Sequence, residues 1–141
     1  VTPDRRAPRP SGRHAARHAA RKARGGRARR DGRFAEILAA LWLMAQGWRI
    51  LAFRLKTPQG EIDLIARRGR VLAAVEVKRR ATLDAALGAV TARQRRRILA
   101  AAEAFAARRT DLRGLSVRLD LVALAPRRAP RHIADAWAGR E

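Results

Sequence analysis

Cysteine is absent from the 141 residues, which excludes disulfides and thiolate metal sites. Aromatic residues are scarce, three Trp and three Phe with no Tyr, and this argues against a stacking platform for single-stranded nucleic acid; Trp42, Trp48 and Trp137 remain as candidates for it. No apolar run reaches the roughly 18 residues of a membrane span, and no signal-type apolar segment follows Val1. The expectation is a cytoplasmic protein with no membrane contact. A glycine-rich phosphate loop is missing too. Ser11 sits in a basic tail and Ser116 opens a strand without a His pattern nearby, so a serine nucleophile is not expected.

Acid is the scarcest charge. There are 12 Asp and Glu against 33 Lys and Arg, a formal net charge of +21. Such a surface attracts polyanions and releases their counterions on binding. Nucleic acid, DNA first, is the expected partner. Residues 1–31 carry 11 basic and 2 acidic residues and no bulky apolar residue beyond Val1, too little to offset the entropy of ordering. They are expected to be a basic, disordered tail that turns helical on a polyanion. His14 and His18, four apart among cations, make a poor metal pair.

Residues 32–141 are expected to form the folded domain. In "DGRFAEILAALWLMAQGW", Phe34, Ile37, Leu38, Leu41, Trp42 and Ala45 recur at helical spacing as a core face, with Asp31 as N-cap and Gly47 after the C-terminus. "WRILAFRL" reads as a strand and "TPQG" as a turn. "EIDLIA" and "VLAAVEVKRR" alternate on either side of a turn at Gly69 and Arg70. Pairing residues whose numbers sum to 139 sets Asp63 opposite Glu76 and Glu61 opposite Lys78, with Val75 and Val77 inward and Glu76 and Lys78 outward. "GAVTARQRRRILAAAEAFAARR" (88–109) reads as a second helix. "SVRLDLVALA" reads as a strand on which Arg118 and Asp120 share a face as a structural ion pair. "HIADAW" is a short terminal piece with Trp137 packed on the sheet. The order helix, three strands, helix, strand gives a single α/β (α+β) domain, a mixed central sheet flanked by helices.

Why does so basic a chain place Glu61, Asp63 and Glu76 in one hairpin? Like charges directly opposite on a sheet face repel. Nearby Arg residues, solvent, or a divalent cation can compensate. Mg²⁺ is held by one or two carboxylates plus water and substrate phosphates, a task Arg cannot perform. Lys78 is one of only three lysines, beside Lys22 and Lys56, and Arg79 and Arg80 follow it. A compact ammonium there suits water orientation or charge stabilisation; a surface salt bridge to Glu61 is the plainer reading.

Asp63 followed by Glu76-Val77-Lys78 resembles the PD-(D/E)xK nuclease core. More closely, "GRFAEILAALWLMAQGWRIL", "GEIDLIA", "VEVKRR", "RLDLV" and "HIADAW" are similar to the bacterial YraN-like family, over roughly residues 32–137. The resemblance implies a restriction-endonuclease-like core and a metal-dependent endonuclease. It implies Asp63 and Glu76 as ligands for Mg²⁺ or Mn²⁺, Val77 as a backbone carbonyl ligand, Lys78 as the catalytic lysine, and Glu36 as a further acidic ligand; a solvated helix face is the alternative for Glu36. Gln94 stands where the family usually has Lys, Arg54 where it has Asn, and Ala74 and Leu119 where aromatics are common. Arg93, Gln94, Arg95, Arg96 and Arg97, with Arg79 and Arg80, are expected to hold backbone phosphates, with weak base specificity. A homodimer is compatible with these features. The rival classes are a non-catalytic nucleic-acid-binding protein and a partner of DNA-processing proteins.

Overall fold

Residues 12–139 are described by a computed structural model. Helix α1 spans Gly12–Ala45, strands β1 Arg49–Thr57, β2 Gly60–Arg68 and β3 Val71–Arg79, helices α2 Leu83–Gly88 and α3 Ala92–Ala107, and strands β4 Ser116–Leu124 and β5 Arg131–Ile133. A 3-10 turn occupies Thr110–Leu112. The chain divides into two units between Arg33 and Phe34.

Within the described residues the first unit is helical from Gly12 onward. Side chains from Ala15 to Gly25 are all exposed. The segment has no core to build, yet its Ala and Arg residues are strong helix formers. Asp31, expected as an N-cap, lies inside the helix. His18 is exposed, and the side chain of His14 lies outside the described residues.

In the second unit the five strands lie in the order β1-β2-β3-β4-β5. β3 and β4 are parallel and the other neighbours antiparallel, the mixed α/β sheet expected. The β2–β3 hairpin turns at Gly69, whose φ of 58° suits a residue without Cβ. Its register runs from Arg68↔Val71 to Leu64↔Val75, the pairing that sums to 139. The return to a parallel strand requires a crossover, supplied by α2 and α3. β3 is therefore a central strand covered on both faces, and Leu72 to Val77 are all buried. Glu76 does not point outward as the alternation implied; it is 6% exposed.

Ala35, Ala39, Ala40 and Leu43 pack with Leu64, Val75 and Val122 on one side of the sheet. This is the face of α1 opposite to the one expected. Phe34, Ile37, Leu38 and Leu41 are exposed instead. Small residues let the helix approach the sheet closely, so the bulky stripe is turned away. The helix ends as expected at Gly47, φ 89°: Trp48 N–H bonds to Leu43 O and Gly47 N–H to Met44 O, each at 3.0 Å, the Schellman pattern.

The other sheet face is covered by α3 through Ile98, Ala101 and Ala102, against Ile65, Leu72 and Ala74. The single helix expected over 88–109 is two. α2 is capped by Thr82, whose Oγ1 accepts Ala85 N–H at 3.1 Å. Gly88 ends α2, Val90 is buried between the helices, and Thr91 and Gln94 form a capping box that starts α3.

β4 carries the expected ion pair. Asp120 is fully buried and accepts two bonds from Arg118, at 2.8 and 3.1 Å. His132 Nε2 lies 2.7 Å away, and Asp135 N–H donates at 2.9 Å. The cluster ties β5 and the turns after it to β4. Trp137 packs against the sheet and donates from Nε1 to Leu87 O at 3.1 Å. Among the described residues no helix is long and apolar enough to cross a membrane.

Candidate acidic site

The hairpin places the acids through a break in its own ladder. Beyond Leu64↔Val75 the Cα pairing of β2 with β3 stops, and Val77 N–H donates instead to Asp63 Oδ2, at 2.9 Å. A carboxylate thus takes the place of a main-chain acceptor. On the other side of β2, the pairing runs Phe53↔Leu64 and then Leu55↔Ile62, passing over Arg54 and Asp63. Arg54 sits at φ 45°, a left-handed conformation costing about 1 kcal/mol or more for a residue with a Cβ. Both irregularities meet at Asp63.

Glu76 and Lys78 share one face of β3, with Glu76 Oε2 and Lys78 Nζ 3.7 Å apart. Asp63 lies within hydrogen-bonding reach of Glu76. The Glu76 carboxyl is pushed up to about 8, first by burial, then by the charge of Asp63, and Lys78 only partly opposes this. Asp63 is also raised, by burial first; the Val77 N–H bond and Lys78 pull it down, while Glu36 and Glu61 push it up. Without a cation the pair therefore keeps a proton between its two carboxylates at neutral pH.

Glu36 reaches the same neighbourhood from α1, but its carboxylate is bound by Arg54 Nε at 2.5 Å. That bond is the main cause of a raised Arg54 pKa. Glu61 is exposed and pairs across the strands with Lys56. It does not stand opposite Lys78, because the β2–β3 ladder ends before reaching it. Val77 lies between Glu76 and Lys78 with its side chain in the α1 cluster.

Do these groups suit a divalent cation? Among the described residues no three acidic or histidine side chains converge on a point, so there is no closed cage. Asp63 and Glu76 do supply two hard oxygen donors, one still holding a proton that a cation can displace. That fits Mg²⁺ or Mn²⁺, which keep several waters.

The expected phosphate contacts lie elsewhere. Arg79, Arg80, Arg93, Gln94, Arg96 and Arg97 are exposed. Arg97 Nε donates to Gln59 O at 2.8 Å, in the β1–β2 turn. Gln94 Oε1 accepts Thr91 N–H at 2.9 Å, a local capping role that accounts for it without the acids. Arg95 stacks over Trp137 at 5.8 Å. Arg95 and Arg96 line a cavity of about 670 Å³ with Leu99, Arg118 and Trp137, and none of the acids lines it except Asp135. Sequence reasoning missed Arg54 as a member of the acidic site. Its traces were an Arg among the apolar residues of β1 and its place where the resembled family has Asn, and its positive φ has no signature in a single sequence. The His132–Asp120 contact was missed as well.

The family model described as "Uncharacterised protein family UPF0102" matches residues 35–124, which spans α1 from Ala35 through the end of β4. Similar curated proteins carry the same description. A UPF0102 protein of Caulobacter vibrioides (strain NA1000 / CB15N) is 61% identical over 119 residues, 84% of this chain and 95% of that one. One from Caulobacter sp. (strain K31) is 62% identical over 117 residues, 83% of this chain and 84% of that one. One from Paramagnetospirillum magneticum is 55% identical over 114 residues, 78% and 88%.

Proposed function

The chain belongs to the uncharacterised protein family UPF0102, and we propose that it acts on nucleic acid, DNA first, as a metal-dependent phosphodiesterase of the PD-(D/E)xK type, with a restriction-endonuclease-like core. One observation carries the reading. Glu76 is buried beside a half-buried Asp63, with Lys78 3.7 Å from Glu76, in a chain of net charge +21. Two carboxylates drawn together out of water cost free energy, and groups of strongly perturbed pKa cluster where chemistry is done.

Mg²⁺ or Mn²⁺, held by Asp63 and Glu76 with water and the Val77 carbonyl, would polarise the phosphodiester and lower the pKa of a bound water. The chain's own groups do the rest. Val77 N–H fixes the Asp63 carboxylate through Oδ2, at 2.9 Å. Lys78 offsets the negative charge of Glu76 and is placed to orient a water or to meet charge developing on a phosphate oxygen. Arg54 restrains Glu36, which joins the ligand set only if that bond opens. The exposed Arg residues hold phosphates as a distributed charge, which positions the polyanion without reading its sequence.

A second reading has an observation of its own. With Glu36 bound by Arg54 and, among the described residues, no group of three acids or histidines at the pair, the protonated pair also suits a nucleic-acid-binding protein that does no chemistry.

Cleavage of a panel of linear, branched and single-stranded DNA and RNA, with Mg²⁺ or Mn²⁺, separates the two. Lys78→Ala is expected to bind the substrate like wild type and to cut it at least about a hundredfold more slowly, the scale of a lost electrostatic or proton-transfer group. Arg96→Ala is expected to bind more weakly and to cut normally at saturation. Calorimetry is expected to detect Mn²⁺ binding that Asp63→Ala abolishes. Tight binding of the panel with no cleavage by wild type selects the binding-only reading.

A further inference from the structure

Over residues 34–45, helix α1 is apolar on two opposite sides. Ala35, Ala39, Ala40 and Leu43 face the sheet. Phe34, Ile37, Leu38, Leu41 and Met44 lie on the other side and are 39–63% exposed. Their spacing is that of one helical stripe. Phe53, 52% exposed, pairs across the strands with Leu64, which packs under α1, so it faces the same side. Single exposed apolar residues need no explanation, whereas a contiguous patch does. Among the described residues, these six are all of the large hydrophobic side chains left exposed. Five of the six lie along one stripe of α1, and Phe53 lies on the sheet face that α1 covers.

We propose that this stripe is a two-fold interface with a second copy of the chain. Three observations select that occupant. The basic segment that precedes the stripe is a poor match for it: residues 1–30 offer no bulky apolar residue but Val1. Charge is nearly absent from the patch in a protein that is 32% charged; between Phe34 and Ala45 the lone charge is Glu36, already bound by Arg54. Two copies carrying +21 each repel, and a stripe without Lys or Arg lets them meet there without apposing guanidinium groups. Area agrees. At on the order of 100 Å² per large side chain, the patch offers roughly 600 Å² per copy, so a pair buries roughly 1,200 Å², the lower end of stable interfaces. A helix stripe of this kind is self-complementary about a two-fold axis, as an isologous dimer requires. Polyanion binding to the stripe itself is disfavoured, because residues 34–45 contain no Lys or Arg.

The inference is independent of the chemistry proposed for the acids, and mass and cleavage are separate readouts. Light scattering of the nuclease-treated full chain in high salt is expected to give twice the 15.6 kDa chain mass. The double variant Ile37→Glu/Leu41→Glu is expected to give the single mass with an unchanged circular dichroism spectrum, since neither side chain packs in the core. A second test uses the absence of cysteine. Leu41→Cys or Ile37→Cys is expected to crosslink into a covalent dimer on mild oxidation, while Arg93→Cys on α3 is not. Wild type at the single mass at every concentration overturns the proposal, as does a double variant that keeps the doubled mass. Equal crosslinking at all three cysteines also overturns it.

Discussion

Glu76 gives up its proton at about 8, against an ordinary 4.5, and stability follows from the difference. Between those values the folded chain binds more protons than the unfolded chain, so stability falls as pH rises. The contribution is complete below about 4.5 and gone above about 8. In chelator, Glu76→Gln is expected to remove this decline and to be more stable than wild type at alkaline pH by about 1–3 kcal/mol, read from urea midpoints. Asp120 behaves in the opposite sense. Burial alone would raise it, but bonds from His132, Arg118 and the Asp135 N–H outweigh burial and hold it low. Its contribution is present above the ordinary carboxylate range and is lost as pH falls. Asp120→Ala leaves Arg118 and His132 facing a cavity, at an expected cost of about 3–5 kcal/mol, measured by denaturant unfolding. At this scale the approach of Asp63 to Glu76 and the shared face of Glu76 and Lys78 were legible from the turn at Gly69 and the alternation of β3, whereas the break in the ladder at Asp63, which removes the pairing of Glu61 with Lys78, was not. The capture of Glu36 by Arg54 was not, because it depends on a left-handed residue that local pattern does not announce.

The strands of the meander were legible as elements, since turn signals at Pro58-Gln59 and Gly69-Arg70 punctuate alternating segments. The helices were read less well. α1 was assigned its bulky stripe as the buried face, from the helical spacing of Phe34, Ile37, Leu38, Leu41, Trp42 and Ala45. Here close approach to the sheet selects Ala35, Ala39 and Ala40, and a single sequence does not say which of two apolar sides meets the core. The boundary between α2 and α3 was hidden in "LGAVT", where apolar residues continue through a short connection and the stop is written only in Gly88 and Thr91. That stop is testable. Thr91 Oγ1 accepts Gln94 N–H at 3.1 Å and Gln94 Oε1 accepts Thr91 N–H. Thr91→Ala is expected to cost about 1 kcal/mol, seen as a lower thermal midpoint, with Thr91→Ser nearly neutral.

For the molecule as a whole, charge dictates how any polyanion complex responds to salt. If six to ten phosphates are neutralised, affinity is expected to fall roughly 10³- to 10⁵-fold between 50 and 200 mM salt. Removing residues 1–30, which supply 11 of the 33 cationic side chains, is expected to flatten that slope, as measured by fluorescence anisotropy at several salt concentrations. The sheet's connectivity has a consequence in time. β1, β2 and β3 pair through adjacent short turns, whereas β3 meets β4 only by bringing Val71 to Ser116, across α2 and α3. Hairpins close within microseconds, and distant pairings wait on the entropy of the larger loop. Asp63 and Glu76 therefore first approach each other in a wet hairpin, where water screens them. The desolvation that raises Glu76 arrives afterwards, when β4 sets Leu121 beside it. Alkaline pH should accordingly leave the refolding rate almost unchanged and hasten unfolding, so that the pH sensitivity appears in one arm of the chevron alone.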